Sequence, residues 1–312
     1  MKQIKIAVVG GGNWGINHIR TLFKMNSLSG IVESNLEKAS QLSKDFPNIP
    51  IVQKLDALPK DTRGIVVATP VPTHFEIAKE AINLNLSVLV EKPTTPSLVQ
   101  TQDLINVAES KKLSFMTGFI LLYSPAIQKI KHLLIENSIG KIKTFTFTRV
   151  NTGKARSFEN AWWSLGVHDV AVLSYLHPHF PATVSTNGQK QSLSKNNTFD
   201  ETRITIKFEN NVQSHFLCSW NWPFKRRELL ITGEKGYLFF DESKAQLTLH
   251  KKYIDESLNI KDEGASVYNF EDADLLKLEL TDFIDSIQNK KQALAGNEPS
   301  LKVAEIFEKA GF

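Results

Sequence analysis

The chain has 312 residues, 41% of them apolar and 22% charged, with a formal net charge of +4 at pH 7. That length predicts two domains of roughly 100–200 residues each, and the balance is that of a globular protein with a sizeable core. The basic excess is small and scattered among acids, which excludes the basic stripe of a nucleic-acid binder but suits anionic small ligands.

The single cysteine, Cys218, excludes an internal disulfide and fits a reducing cytoplasm. No apolar run reaches the roughly 18–20 residues of a membrane span, and the start lacks a signal-peptide pattern. A cytoplasmic protein is expected.

In chain order, residues 4–9 predict a strand buried on both faces, 14–25 a helix, 28–33 a strand and 36–46 a helix stopped by Pro47. Residues 64–68 predict an apolar strand. Residues 74–84 predict a helix with Phe75, Ile77, Ala78, Ala81 and Ile82 on one face. A strand at 87–90, a helix at 98–110 and a strand at 113–117 follow. Strands separated by helices imply a parallel sheet with right-handed crossovers. Residues 1–118 therefore predict an α/β Rossmann domain.

The pattern changes after Gly118. A helix at 126–136 precedes a strand at 141–150, where Phe145 and Phe147 alternate with Thr144, Thr146 and Thr148. That is the period of a half-exposed antiparallel strand. A helix at 161–175 and strands at 203–208, 212–220, 227–232 and 237–240 follow, with turns at 210–211 and 233–236. Helices at 275–288 and 301–310 close the chain. Residues 119–312 predict an α+β domain with a mostly antiparallel sheet.

Gly10, Gly12 and Gly15 fit G-x-G-x-x-G on a strand-to-helix junction. The first allows the tight turn, the second lets the backbone approach a pyrophosphate, and the third lets the helix pack on the strand. Asn13 and Trp14 lie within this turn and join the cofactor-binding set. Glu33 ends the second strand about 20 residues on, where a carboxylate binds the ribose 2′-hydroxyl and repels a 2′-phosphate. NAD is therefore expected over NADP.

Thr69, Pro70 and His74 follow the next parallel strand and, with Glu91 and Lys92, are expected in the cofactor-binding set at that edge, although the place of His74 at a helix start favours a structural role. Glu91 and Lys92 follow the apolar strand 87–90 and precede Pro93. An ammonium at that edge could bond a substrate hydroxyl and stabilise a developing alkoxide. His168 stands in an apolar segment, as core filler or as a base. Ser164 lies one helical turn earlier and shares its face, whereas Asp169 does not; Asp169 is expected to orient a loop or substrate. His177, His179 and Cys218 have no metal-ligand spacing, so no metal is expected.

These residues resemble the glucose–fructose oxidoreductase, inositol dehydrogenase and rhizopine-catabolism family (Gfo/Idh/MocA). The likeness runs through residues 8–15, Ala68 to Pro70 with His74, and residues 88–93. It implies a bound nicotinamide cofactor and oxidation of a sugar or polyol hydroxyl. It also implies that Lys92 matches the lysine of the family's Glu-Lys-Pro motif and His168 its catalytic histidine.

The second half resembles the nucleotide-sugar branch that acts on UDP-N-acetylglucosamine, through residues 151–156, 163–169, Asp200 and 219–227. This implies substrate contacts at Arg156, Trp163, Ser164, Asp169, Lys225 and Arg227, the cations meeting a pyrophosphate. Ser164 departs from the aspartate many members place there, and Phe119 replaces a histidine common in the branch.

The resulting expectation is an NAD-dependent nucleotide-sugar dehydrogenase, a homodimer or homotetramer. The alternatives are a free-sugar or inositol dehydrogenase and a non-catalytic cofactor-sensing regulator of the same fold.

Overall fold

The computed structural model describes residues 3–153, 160–189 and 199–311. The first part of the chain runs β1 (Lys5–Val9), α1 (Gly15–Lys24), β2 (Leu28–Val32), α2 (Leu36–Asp45), β3 (Ile51–Val52), β4 (Thr62–Val67), α3 (His74–Asn83), β5 (Ser87–Val90), α4 (Leu98–Ser110) and β6 (Phe115–Thr117). Its six strands are parallel in the order β3-β2-β1-β4-β5-β6. Ile6, Ala7 and Val8 of β1 and Val88, Leu89 and Val90 of β5 have no exposed surface. That is why both segments read as continuous apolar runs. The strand order reverses between β1 and β4, and open α/β sheets take ligands beyond the carboxyl ends of strands at such a switch point.

The chain continues through α5 (Pro125–Ile135), β7 (Ile142–Thr152), a π turn at Trp162–Gly166, α6 (Val167–Leu176), β8 (Thr183–Gln189), β9 (Glu201–Lys207), β10 (Gln213–Ser219) and β11 (Asn221–Gly233). After these come β12 (Tyr237–Asp241), β13 (Gln246–Ile254), β14 (Ile260–Asn269), α7 (Leu275–Asn289) and α8 (Asn297–Ala310). The eight-stranded sheet has the order β14-β13-β12-β11-β7-β10-β9-β8. It is antiparallel except where β7 and β10 pair in parallel. Its buried face carries Phe145 and Phe147 of β7, Phe216 of β10, and Leu229 and Ile231 of β11. The rings of Phe147 and Phe216 stack at 4.7 Å.

The chain divides into two compact units. One holds residues 1–120 and 274–304, the other 121–273 and 305–312. The sequence places the whole C-terminal stretch in the second half, whereas 274–304 packs on the parallel sheet. The reason is local. Phe283 and Ile287 of α7 fill the space over Gly64 of β4, where an added Cβ would sit 3.1 and 3.0 Å from them. The Thr117 N–H donates to the Ala295 carbonyl at 3.0 Å, and the Thr117 and Ser300 hydroxyls meet at 2.7 Å. Among the described residues, no helix is long and apolar enough to cross a membrane.

Candidate active site

The turn after β1 has the shape that a dinucleotide needs. Gly10 sits at φ +95°, a region L side chains avoid, and a Cβ there would lie 2.8 Å from the Ala68 carbonyl. A Cβ on Gly15 would fall 1.9 Å from the Gly10 carbonyl, so α1 can follow β1 this closely only with glycine. Around Gly12, by contrast, a Cβ would meet nothing within 4 Å. Trp14 opens α1 without a side-chain cap, leaving the helix start available to an anion. Open space at the second glycine, beside an uncapped helix start, fits a bound pyrophosphate.

Glu33 follows β2 and is 7% exposed. Its Oε2 accepts the Gly11 N–H at 2.8 Å and its Oε1 the Asn35 N–H at 2.9 Å. The carboxylate is thereby held beside the glycine turn. His74, at the start of α3, is also buried. Its Nε2 faces the Thr69 carbonyl at 2.8 Å, and its Nδ1 faces those of Pro93 and Thr94 at 3.0 and 3.2 Å. It ties the loop after β4 to the loop after β5.

Lys92 leaves β5 beside this edge, half-buried, and its peptide bond to Pro93 is cis. The residue before it is tightly held. Glu91 Oε1 accepts the Trp14 indole N–H and lies 2.7 Å from His18 Nε2, while Oε2 accepts the Lys92 main-chain N–H at 3.1 Å. Gly118 leaves room for this carboxylate, since a Cβ there would approach it to 3.1 Å. Two partners escape a reading of the sequence, His18 and Glu279, each with a ligating atom within 4.8 Å of the others'. Glu279 does leave a trace, as the lone acid on the buried face that Leu276, Leu280 and Phe283 give α7.

In the second unit, His168 lies in the first turn of α6, half-buried, directly after the π turn. Such insertions are frequent at functional sites. Gly166 is required here, because a Cβ would come within 2.3 Å of the buried Trp162 ring. Ser164 sits within the π turn. The Trp163 ring rests against Phe307 at 4.6 Å, and the Trp163 main-chain N–H donates to Asn160 Oδ1 at 2.9 Å.

Asp169 is 5% exposed and turned inward. Its Oδ1 accepts from Arg149 Nε at 2.9 Å, and its Oδ2 has no hydrogen-bond partner. Arg149 also donates to Glu242 Oε2 at 2.7 Å, and Arg227 donates to Glu242 Oε1 at 2.8 Å. These four side chains share the wall of a cavity of about 30 Å³ with Phe147, Leu229 and Phe240. Burial pushes the Asp169 carboxyl up despite Arg149. Burial also works against the charge of Glu242, but the two arginines outweigh it and hold that carboxyl low. Arg226 pairs with Glu228 at 2.5 Å, and Lys225 is exposed. Arg156 lies outside the described residues.

Residues 4–119 match the description "Oxidoreductase family, NAD-binding Rossmann fold", and residues 127–239 match "GFO/IDH/MocA C-terminal domain". The chain is 22% identical to the UDP-N-acetylglucosamine 3-dehydrogenase of Acidithiobacillus ferrooxidans, over 92% of this chain and 90% of that protein. The solved structure of that enzyme matches with a TM-score of 0.87 at 21% identity, over 99% of this chain and 97% of that one. A levoglucosan dehydrogenase in complex with NADH and levoglucosan matches with a TM-score of 0.86 at 18% identity, over 99% and 96% of the two chains. The glucose-6-phosphate 3-dehydrogenase of Bacillus subtilis is 26% identical over 55% of this chain and 53% of its own. With its glycine cradle, its six-stranded parallel sheet and its eight-stranded second sheet, the chain belongs to the Gfo/Idh/MocA family of NAD-binding oxidoreductases.

Proposed function

We propose that the protein is an NAD-dependent dehydrogenase that oxidises a ring hydroxyl of a nucleotide sugar, the 3-hydroxyl of a substrate such as UDP-N-acetylglucosamine, to a keto sugar. The observation that carries this reading is the fixed placement of Lys92 at the carboxyl edge of β5, with Glu91 clamped by Trp14, His18 and the Lys92 main chain. Gly10, Gly12, Asn13, Trp14, Gly15 and Glu33 hold the dinucleotide, and Thr69, Pro70, His74 and Glu91 shape its edge. Bound NAD supplies the hydride acceptor. His168 takes the hydroxyl proton, and the Lys92 ammonium holds the oxygen as it becomes a carbonyl. Association into a homodimer or homotetramer through the free face of the eight-stranded sheet belongs to the same reading.

The substrate is tested by following NADH absorbance with UDP-N-acetylglucosamine against free N-acetylglucosamine. Turnover is expected with the nucleotide sugar and not with the free sugar; equal use of both would remove the diphosphate from the reading. Lys225→Ala is expected to weaken nucleotide-sugar binding by about 10- to 150-fold, the loss of one charge-assisted bond, while sparing NAD. A second reading, a free-sugar or polyol dehydrogenase, draws support from Arg226 and Arg227, whose guanidiniums already pair with Glu228 and Glu242.

NAD is expected to bind more tightly than NADP, because a 2′-phosphate would meet the Glu33 carboxylate. Titration of both cofactors checks this. Glu33→Ala should narrow the gap, and equal affinities in the parent would contradict the assignment.

A further inference from the structure

Three elements of the first unit bring a buried titratable side chain to one point next to Lys92. His18 on α1 is fully buried, Glu279 on α7 is 1% exposed, and Glu91 at the end of β5 is 8% exposed. One ligating atom of each lies within 4.8 Å of the others'. Glu91 faces three donors: the Trp14 indole, His18 Nε2 and the Lys92 main-chain N–H. Glu279 Oε1 and His18 Nδ1, by contrast, are buried with no hydrogen-bond partner among the described residues.

Two carboxyl groups this close and this dry do not both ionise. Glu91 faces the N–H groups that a carboxylate needs, and Glu279 Oε1 faces none among the described residues. Burial, then the charge of Glu91, then Asp282 on its own helix all push the Glu279 acid well above the ordinary carboxylate range. Glu279 is therefore the member of the pair that holds a proton. A metal ion would have to part His18 Nε2 from Glu91 Oε1, which already meet at 2.7 Å. A proton on Glu279 asks for no such displacement and adds a donor to the set.

We propose that Glu279 is a positioning residue: as a neutral acid donating into the His18–Glu91 pair, it keeps the Glu91 carboxylate in place, and Glu91 in turn holds the main chain at Lys92. This rests on the reading of Lys92 as catalytic. Ionisation of Glu279 would set a second negative charge beside Glu91 and disturb the bonds that Glu91 makes. The arrangement at Lys92 is thus lost as pH rises through the elevated value of Glu279.

The test uses the full chain with NAD and UDP-N-acetylglucosamine. Infrared difference spectra of the parent against Glu279→Gln should show a protonated-carboxyl stretch at neutral pH that the variant lacks. Glu279→Leu, which cannot donate, is expected to lose about 10²-fold in kcat, as misplacement of a reacting group by about 1 Å does, with a smaller loss in NAD affinity. Glu279→Gln, whose amide still donates, should recover most of that loss and stay active to higher pH than the parent.

Melting curves give a reading independent of turnover. An acid with a raised folded-state pKa contributes stability below its unfolded value and loses it as pH rises through the folded one. The parent should therefore lose stability relative to Glu279→Gln as pH rises above the ordinary carboxylate range. A missing infrared band, a parent-like kcat in Glu279→Leu, or stoichiometric zinc that Glu279→Gln releases would each overturn the proposal. If Lys92→Ala keeps its turnover while the band and the melting shift are present, the catalytic assignment of Lys92 has failed, and the positioning role with it, but not the proton on Glu279.

Discussion

Replacing Lys92 or His168 with alanine is expected to lower turnover by about 10²–10⁴-fold, the usual contribution of a general acid–base group. NAD binding should survive both changes. On the proposed reading Gly10, Gly12, Gly15 and Glu33 hold the dinucleotide without either side chain, and His168 belongs to the second unit. Near-normal activity in His168→Ala would mean that another group takes the proton. Ser164→Asp adds the carboxylate that many relatives carry, so activity should hold or rise. A complete loss would show a site built around serine.

The second large effect is on stability. Arg149 on β7 is 7% exposed and joins two acids, Asp169 and Glu242, in the interior of the second unit. Arg149→Ala would leave Asp169 buried without its cation, and breaking such a pair from one side costs about 3–5 kcal/mol. Arg149→Lys should fall between parent and alanine, since an ammonium lacks the planar fork that reaches both acids. Trp162, Trp163, Trp220 and Trp222, four of the five tryptophans, lie in the second unit, so fluorescence in urea reports on it. A loss below about 1 kcal/mol, the scale of an exposed pair, would mean that the cluster is solvated.

The cluster also sets an acid limit. The folded-state pKa of Glu242 is depressed, so its contribution is present above the ordinary carboxylate range and lost as pH falls through the depressed value. Glu242→Gln should flatten that part of the acid-melting curve.

The strands and helices of the parallel sheet were legible because their burial is regular. Ser87–Val90 and Leu98–Ser110 fall where the apolar pattern puts them. β13 and β14 left little pattern. β13 offers only Leu247 and Leu249 before two lysines, and nearly all of β14 is exposed, so no alternation marks it. β8, with its short polar side chains, is half-exposed for the same reason. A two-residue edge strand such as β3 is too short to read at all.

Among the candidate site residues, Lys92, Glu91 and the glycines were singled out from neighbours in sequence. His18 and Glu279 could not be joined to them, because contact between α1, α7 and the end of β5 is a fact of tertiary packing. Asp169 and Arg227 were legible as charges, but their partner, Glu242, lies on a turn that no periodicity marks.

The return of residues 274–304 to the first unit sets an order of events during synthesis. A chain that has grown only to residue 120 has all six parallel strands but lacks α7. Phe283 and Ile287, which close over Gly64, and Glu279 are then still unmade. The nucleotide-binding half thus begins first and finishes last, with the eight-stranded sheet free to form in between. Closing a loop of this length is slow relative to local pairing, and apolar surface left open in the interval is prone to aggregate. A C-terminal deletion that spares every residue of the glycine turn would for that reason still cripple the binding of NAD.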